Sequence, residues 1–269
     1  MGDDSIFTDG RGSRLTAPFL PRSVGGAYWN VLERLTVLAN DMNSFVDETA
    51  PYGQLARTYF DTLQRRERPD ASKVILQAIE SGVSIKDIYL HVFQPVLYEI
   101  GRLWQCNRLS VVEEHYYTAA TQMVMSQLYD RIFSQQNTGP RLIAACPGDE
   151  LHEVGIRMVA DFFELEGWDT QYLGANVPAE AILAACLRQN PDVLALSTTM
   201  SYHSHRAAKA ITMLRSEESC RDVLVIVGGY CYKLFPELWK EVGADGFAQD
   251  AASAVALASQ LLRDRTVRQ

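Results

Sequence analysis

The chain has 269 residues, 47% hydrophobic and 22% charged, a globular balance with length enough for two domains that each bury a core. A net charge of −8 and a pI near 5.2 leave scattered Lys and Arg rather than the cation clusters a phosphate backbone demands, so direct nucleic-acid binding is not expected. No run reaches the roughly 18 apolar residues of a membrane span, and the polar start lacks a secretory pattern, so a cytoplasmic protein is expected. The five cysteines are odd in number and lack CxxC spacing, which argues against disulfides and structural zinc and for buried, reduced thiols.

Residues 1–25, rich in Gly, Ser, Asp and Pro, read as a tail. From Tyr28 the pattern is helical: Val31, Leu32, Leu35, Leu38 and Met42 share a face, and Leu55, Tyr59 and Leu63 repeat it. The run Arg65-Arg66-Glu67-Arg68 reads as a solvated helix end. Asp70-Ala71-Ser72 predicts a helix start, with Glu80 as its end before Ser81-Gly82. Ser84 caps the next helix, which carries Ile85, Ile88, Tyr89, Val92 and Phe93, and Pro95 either bends it or starts another. Val111 to Phe133 is one long amphipathic stretch. These elements predict a helical bundle over 26–137, with Asn137-Thr138-Gly139-Pro140 marking the passage to a second domain, 138–269.

After Pro140 the period changes. Apolar strands are predicted at Leu142–Cys146, Thr170–Leu173, Val193–Leu196, Val223–Val227 and Gly246–Ala248. Helices alternate with them at Val154–Glu166, Ala179–Leu187, Ala207–Leu214, Leu234–Val242 and Ala251–Leu262. Strands apolar on both faces call for a covered parallel sheet. The fold class is therefore α/β, an N-terminal helical bundle followed by a flavodoxin-like, doubly wound parallel sheet of five strands, with ligands expected beyond the strands' carboxyl ends.

The strand ends discriminate among ligands. The first turn, Cys146-Pro147-Gly148-Asp149-Glu150-Leu151-His152-Glu153-Val154-Gly155, lacks GxGxxG. The third strand ends on Ser197-Thr198-Thr199 without the Asp of a phosphoacceptor domain, and the acidic first loop does not suit flavin mononucleotide. What remains is a His after strand one, a Ser at the end of strand three with 41 residues between it and Gly155, and Gly228-Gly229 with 28 residues between it and Thr199. This constellation resembles the cobalamin-binding domain shared by methionine synthase, corrinoid methyl carriers and B12-dependent photoregulators, whose motifs are Asp-x-His-x-x-Gly, Ser-x-Leu and Gly-Gly at the same separations.

The resemblance implies a cobalamin cofactor with His152 as protein ligand to cobalt. Glu150 stands in for the usual Asp as the partner of the second imidazole nitrogen, its longer arm leaving direct contact or a bridging water open. Leu151, Glu153, Val154 and Gly155 line the cofactor, Ser197 and Thr199 (in place of Leu) meet its buried tail, and Gly228 and Gly229 give that tail room. His203 and His205 read as surface or capping residues, with contact to the cofactor tail as the alternative, and His91 as a helix-face residue.

The bundle carries Trp104 and, ten residues on, Glu114-His115. This trio resembles the cap that B12-dependent photoregulators of carotenoid synthesis place over the upper ligand. There a His directly follows the Trp; here Gln105 does, leaving His115 as the substitute for a second ligand. The helix around Met158-Val159-Ala160-Asp161-Phe162-Phe163 also looks similar to stand-alone antirepressors of photosynthesis genes. The resemblance implies a light-responsive sensor holding adenosylcobalamin, with methyl- or hydroxocobalamin as other forms. A polar N-terminal stretch and acidic balance point its output to a protein partner, such as a transcription regulator, or to homo-oligomerisation. The alternative is a corrinoid carrier in a methyltransferase system.

Overall fold

The computed structural model describes residues 44–133 and 138–268. The predicted tail 1–25, the helical pattern over 28–42 and residues 134–137 at the predicted passage lie outside the described residues. Among the described residues, no helix is long and apolar enough to cross a membrane.

The helical half begins with α1 (Gly53–Gln64), which buries Ala56, Tyr59, Phe60 and Leu63 on one face. Helix α2 (Arg68–Glu80) starts two residues before the predicted cap, because Pro69 sits in its first turn, where a missing N–H costs nothing. Asp70 pairs with Lys73 at 2.8 Å instead of capping. Helix α3 (Ile85–Ile88) is capped by Ser84, which accepts from the Asp87 N–H. It runs through a π turn, Tyr89–Phe93, into α4 (Gln94–Gln105), whose second residue is Pro95. Pro95 has no N–H and its ring crowds the preceding turn, so the helix widens before it rather than ending. A Ser110–Glu113 capping box opens α5 (Val111–Gln127), and the chain breaks at Leu128 before α6 (Tyr129–Ile132), so the predicted long helix is two. The basic run is internally satisfied: Arg65 bonds Glu67 at 2.9 Å, Arg66 faces Glu113 at 3.7 Å, and Arg68 lies over the Tyr116 ring.

The second half is a parallel sheet of order β2-β1-β3-β4-β5. Its strands are β1 (Arg141–Pro147), β2 (Asp169–Val177), β3 (Val193–Ser197), β4 (Leu224–Gly228) and β5 (Gly246–Phe247). The intervening helices are α7 (Val154–Leu165), α8 (Ala179–Gln189), α9 (Ser204–Ser216), α10 (Tyr230–Leu234), α11 (Leu238–Glu241) and α12 (Ala251–Arg268). The predicted helix at Leu234–Val242 is divided between α10 and α11, because Pro236 cannot continue it. β2 outruns its prediction: it is a half-exposed edge strand, so its apolar alternation is weak, and its register against β1 shifts at Ala145.

Alternation along β1 explains the layering. Ile143 and Ala145 pack with Ile182 and Ile211 of α8 and α9. Leu142, Ala144 and Cys146 pack with Ile156, Phe163 and Ala254 of α7 and α12. Helix α7 is apolar on a second stripe as well: Val154, Met158 and Phe162 belong to the core of the helical half, together with Ala251. Full burial of Met158 and Phe162 stabilises this contact by roughly 2 kcal/mol each. The two halves therefore share one core across α7. Winding reverses between β1 and β3, which opens a crevice at their carboxyl ends, beneath the helical half.

Candidate cofactor site

The loop after β1 is fixed from several sides. Asp149 is left-handed (φ 67°) and donates its N–H to Asn176 Oδ1 at 2.8 Å. Asn176, itself left-handed, returns an N–H to the Glu150 carbonyl at 2.9 Å. The buried Cys146 thiol donates to the His152 carbonyl at 3.6 Å.

These contacts drive Glu150 fully inside. One carboxylate oxygen meets His152 Nδ1 at 2.5 Å and the His152 N–H at 3.0 Å. The other accepts from the N–H groups of Thr199 (2.8 Å) and Met200 (3.1 Å) and faces His203 Nδ1 at 3.3 Å. Burial alone would raise this carboxyl, but the His152 imidazole and the N–H donors outweigh it and hold the pKa at about 2. His152 is treated in the opposite sense: burial lowers its pKa, and the Glu150 and Glu114 carboxylates more than restore it, a net rise. The longer Glu arm needs no bridging water; it reaches the imidazole directly. With Nδ1 engaged by Glu150, Nε2 is the nitrogen left for a ligand.

His203 departs from its sequence reading. It is only 15% exposed and shares the carboxylate that anchors His152. His205 behaves as expected, its Nδ1 meeting the Tyr202 carbonyl at 2.8 Å, and His91 lies on a helix face near Asp87. Four cysteines are buried, while Cys106 is partly exposed.

A cavity of about 590 Å³ runs from the strand ends to the helical half. Leu151, His152, Glu153, Val154, Gly155, Ser197, Thr199, Gly228 and Gly229 line it from the sheet, and Trp104, Glu114 and His115 from the helices. Glu150 stands behind His152, away from the lining. The glycines differ in cause. A Cβ on Gly229 (φ 104°) would come within 2.2 Å of the Thr198 carbonyl oxygen, so the protein itself requires glycine there. A Cβ on Gly155, in the first turn of α7, would meet no protein atom within 4 Å. A helical glycine with open space beside it suits a group that comes from outside the chain. An imidazole with an anchored Nδ1, opening on a long cavity with glycines along its floor, fits a flat cofactor carrying a metal and a buried tail.

On the helical wall, Glu114 Oε2 meets His115 Nδ1 at 2.6 Å and Oε1 accepts from Thr118 Oγ1 at 2.9 Å. His115 is 75% exposed, at the rim. Sequence reasoning missed Tyr98, Tyr230, Phe45 and Gln122 on the same cavity. The Tyr98 and Tyr230 rings lie 5.5 Å apart and tie α4 to α10; burial pushes the Tyr98 hydroxyl up to about 12. Beneath them Glu99 and Arg102 form a buried pair at 2.6 Å, and Glu99 also accepts the Phe45 N–H at 3.0 Å. For these added residues the local signal was the apolar face of α4, beside the Trp104, Glu114 and His115 trio.

The sequence matches the B12 binding domain family over residues 140–257 and a second B12 binding domain family over residues 55–129. The chain belongs to the B12-binding family. It is 30% identical over 214 residues to the HTH-type transcriptional repressor CarA of Myxococcus xanthus, covering 73% of this chain and 71% of that protein. It is 29% identical over 167 residues to the HTH-type transcriptional repressor CarH of the same organism, covering 62% of this chain and 54% of CarH. The Methanosarcina barkeri monomethylamine corrinoid protein shares the fold: TM-score 0.70 at 17% identity, over 78% of this chain and 100% of that one. The chain therefore binds cobalamin, through a helical region and a Rossmann-like domain.

Proposed function

We propose that this protein is a light-responsive cobalamin sensor in which His152 is the lower ligand to cobalt. The observation that carries the reading is the common cavity of the anchored imidazole and the Trp104, Glu114 and His115 trio. When bound, adenosylcobalamin supplies a cobalt–carbon bond that visible light breaks. His152 would hold the metal through Nε2, with Glu150 fixing the Nδ1–H tautomer and raising the basicity of the donor nitrogen. Thr199, through its N–H, keeps Glu150 oriented. Ser197, Gly155, Gly228 and Gly229 would receive the nucleotide tail, and Leu151 and Val154 pack beside it. Trp104 would exclude water from the cavity beside the bound cofactor, while Glu114 would offer carboxylate oxygens to ribose hydroxyls. His115, exposed at the rim of the cavity, would be the nearby imidazole available as a second ligand.

Output would run through movement of the helical half against α7, read by a protein partner or by a change in oligomeric state. The alternative, a corrinoid carrier, is favoured by the fold shared with the monomethylamine protein. It requires an open upper face for a methyltransferase, whereas the Trp104 trio occupies that wall.

The test is the absorbance of protein loaded with adenosylcobalamin in darkness and after green light. The sensor reading expects a lasting spectral change together with altered elution volume or partner binding. An unchanged spectrum ends it, and methylcobalamin retained through purification favours the carrier.

A further inference from the structure

One residue beside the proposed ligand touches both halves. Glu153 precedes α7 directly, and both its carboxylate oxygens are engaged from different elements. Gln122 Nε2 of α5 donates to Oε1 at 2.9 Å, and the Tyr172 hydroxyl of β2 donates to Oε2 at 2.9 Å. Bonds to an ionised acceptor are about twice as strong as neutral ones. Glycine at position 174 (φ 84°) brings the β2 backbone close: a Cβ there would lie 3.5 Å from Glu153 Oε2.

Glu153 also starts a row. Residues four apart on a helix share a face, and Arg157 and Asp161 continue the line. Arg157 donates to Ser126 Oγ at 3.1 Å, Asp161 accepts from the Tyr89 hydroxyl at 2.7 Å, and farther along Glu166 pairs with Lys86. Beside this polar row runs the apolar stripe of Val154, Met158 and Phe162 in the shared core. The bonds of Glu153, Arg157 and Asp161 to the helical half lie on that face, and the one at its amino end is made by the residue next to His152.

We infer that Glu153 is a positioning residue, a clamp coupling helix α5 to the His152 loop, so that cofactor ligation and docking of the helical half stabilise each other. The inference rests on the reading of His152 as cobalt ligand. By linkage, a loop held by the metal holds Glu153, Glu153 holds Gln122, and the effect runs equally in reverse. An interaction made only with the backbone of one half would not couple them in this way.

The experiment is amide hydrogen exchange on the full chain, with and without saturating hydroxocobalamin, loading checked by absorbance. Wild type is compared with Gln122→Ala, Gln122→Glu, Glu153→Gln and the Gln122→Ala/Glu153→Gln double variant. In wild type, loading is expected to slow exchange across residues 118–126 about fivefold or more. That slowing should be lost in Gln122→Ala, lost together with added opening in Gln122→Glu, where two carboxylates meet, and no further reduced in the double variant than in either single one. Slowing that persists in Gln122→Ala and Gln122→Glu, or single effects that add in the double variant, overturns the clamp. Failure of the underlying reading shows separately, as histidine-type cobalt ligation that survives in His152→Ala.

Discussion

The two walls of the cavity are built on different terms. On the sheet side, Glu150 is fully buried, and its carboxylate gathers two imidazoles and three backbone N–H groups from the ends of β1 and β3. On the helical side, Glu114 satisfies itself with its own neighbours on α5, and His115 projects into solvent. The first wall cannot yield without leaving several buried polar groups unpaired, whereas the second can reorganise cheaply. The contrast agrees with the proposed reading, in which the sheet wall holds the cofactor and the helical wall responds to it.

The largest effect expected from breaking the rigid wall is Glu150→Ala. It leaves Thr199, Met200 and His152 N–H groups without their acceptor and should lower unfolding free energy by about 4 kcal/mol, read from urea midpoints of the cofactor-free protein. Glu150→Asp should recover part of the loss. Gly229→Ala comes next. A methyl at 2.2 Å from the Thr198 oxygen, at a φ of 104°, should cost about 3 kcal/mol or more in the same assay.

A pH test reaches the joint between the walls. Burial raises Asp161 from 3.8 to about 6, with the Tyr89 hydrogen bond and the Arg157 charge opposing. A folded pKa above the unfolded one means that the native state binds the extra proton. The stabilisation is complete below 3.8 and is lost as pH rises through about 6. Asp161→Asn has no such proton to lose. Relative to wild type, its stability should therefore improve by about 2–3 kcal/mol between pH 4 and pH 7, at about 1.4 kcal/mol per pKa unit. A pH-independent difference between the two proteins would refute the assignment.

The smallest stability effect should be the most discriminating. Gly155→Ala should leave the cofactor-free protein unchanged or stabilise it by about 0.5 kcal/mol, as alanine does in a helix. The same change should weaken cobalamin binding at least about tenfold, because the methyl enters space the cofactor needs. His115→Ala, at an exposed site, should leave unfolding within about 0.5 kcal/mol of wild type.

The sequence carried one wall better than the other, for a physical reason. His152, Ser197 and the Gly228-Gly229 pair lie at the ends of successive strands of a parallel sheet, so their spacing follows from strand and helix lengths. The same holds for β1, β3 and β4, buried on both faces and continuously apolar. What depends on tertiary approach left no local trace: the hydroxyl of Tyr172 on Glu153, the tilted contact of Tyr98 with Tyr230, and the second, bundle-facing stripe of α7. His203 was visible but misjudged, since a helix-start histidine shows nothing of a loop that folds back onto Glu150. Pro95 announced a disturbance in its helix, but the sequence left a bend and a new start equally open, and the structure has a π turn before it.

The central claim is the bond from the His152 imidazole to cobalt, and isotope labelling tests it directly. Protein grown with nitrogen-15 histidine, loaded with cobalamin and reduced to the cobalt(II) state, should show axial superhyperfine doublets in its electron paramagnetic resonance spectrum where unlabelled protein shows triplets, and His152→Ala should show neither pattern from histidine. Triplets that persist in the labelled protein would assign the axial nitrogen to the cofactor's own base and contradict the account.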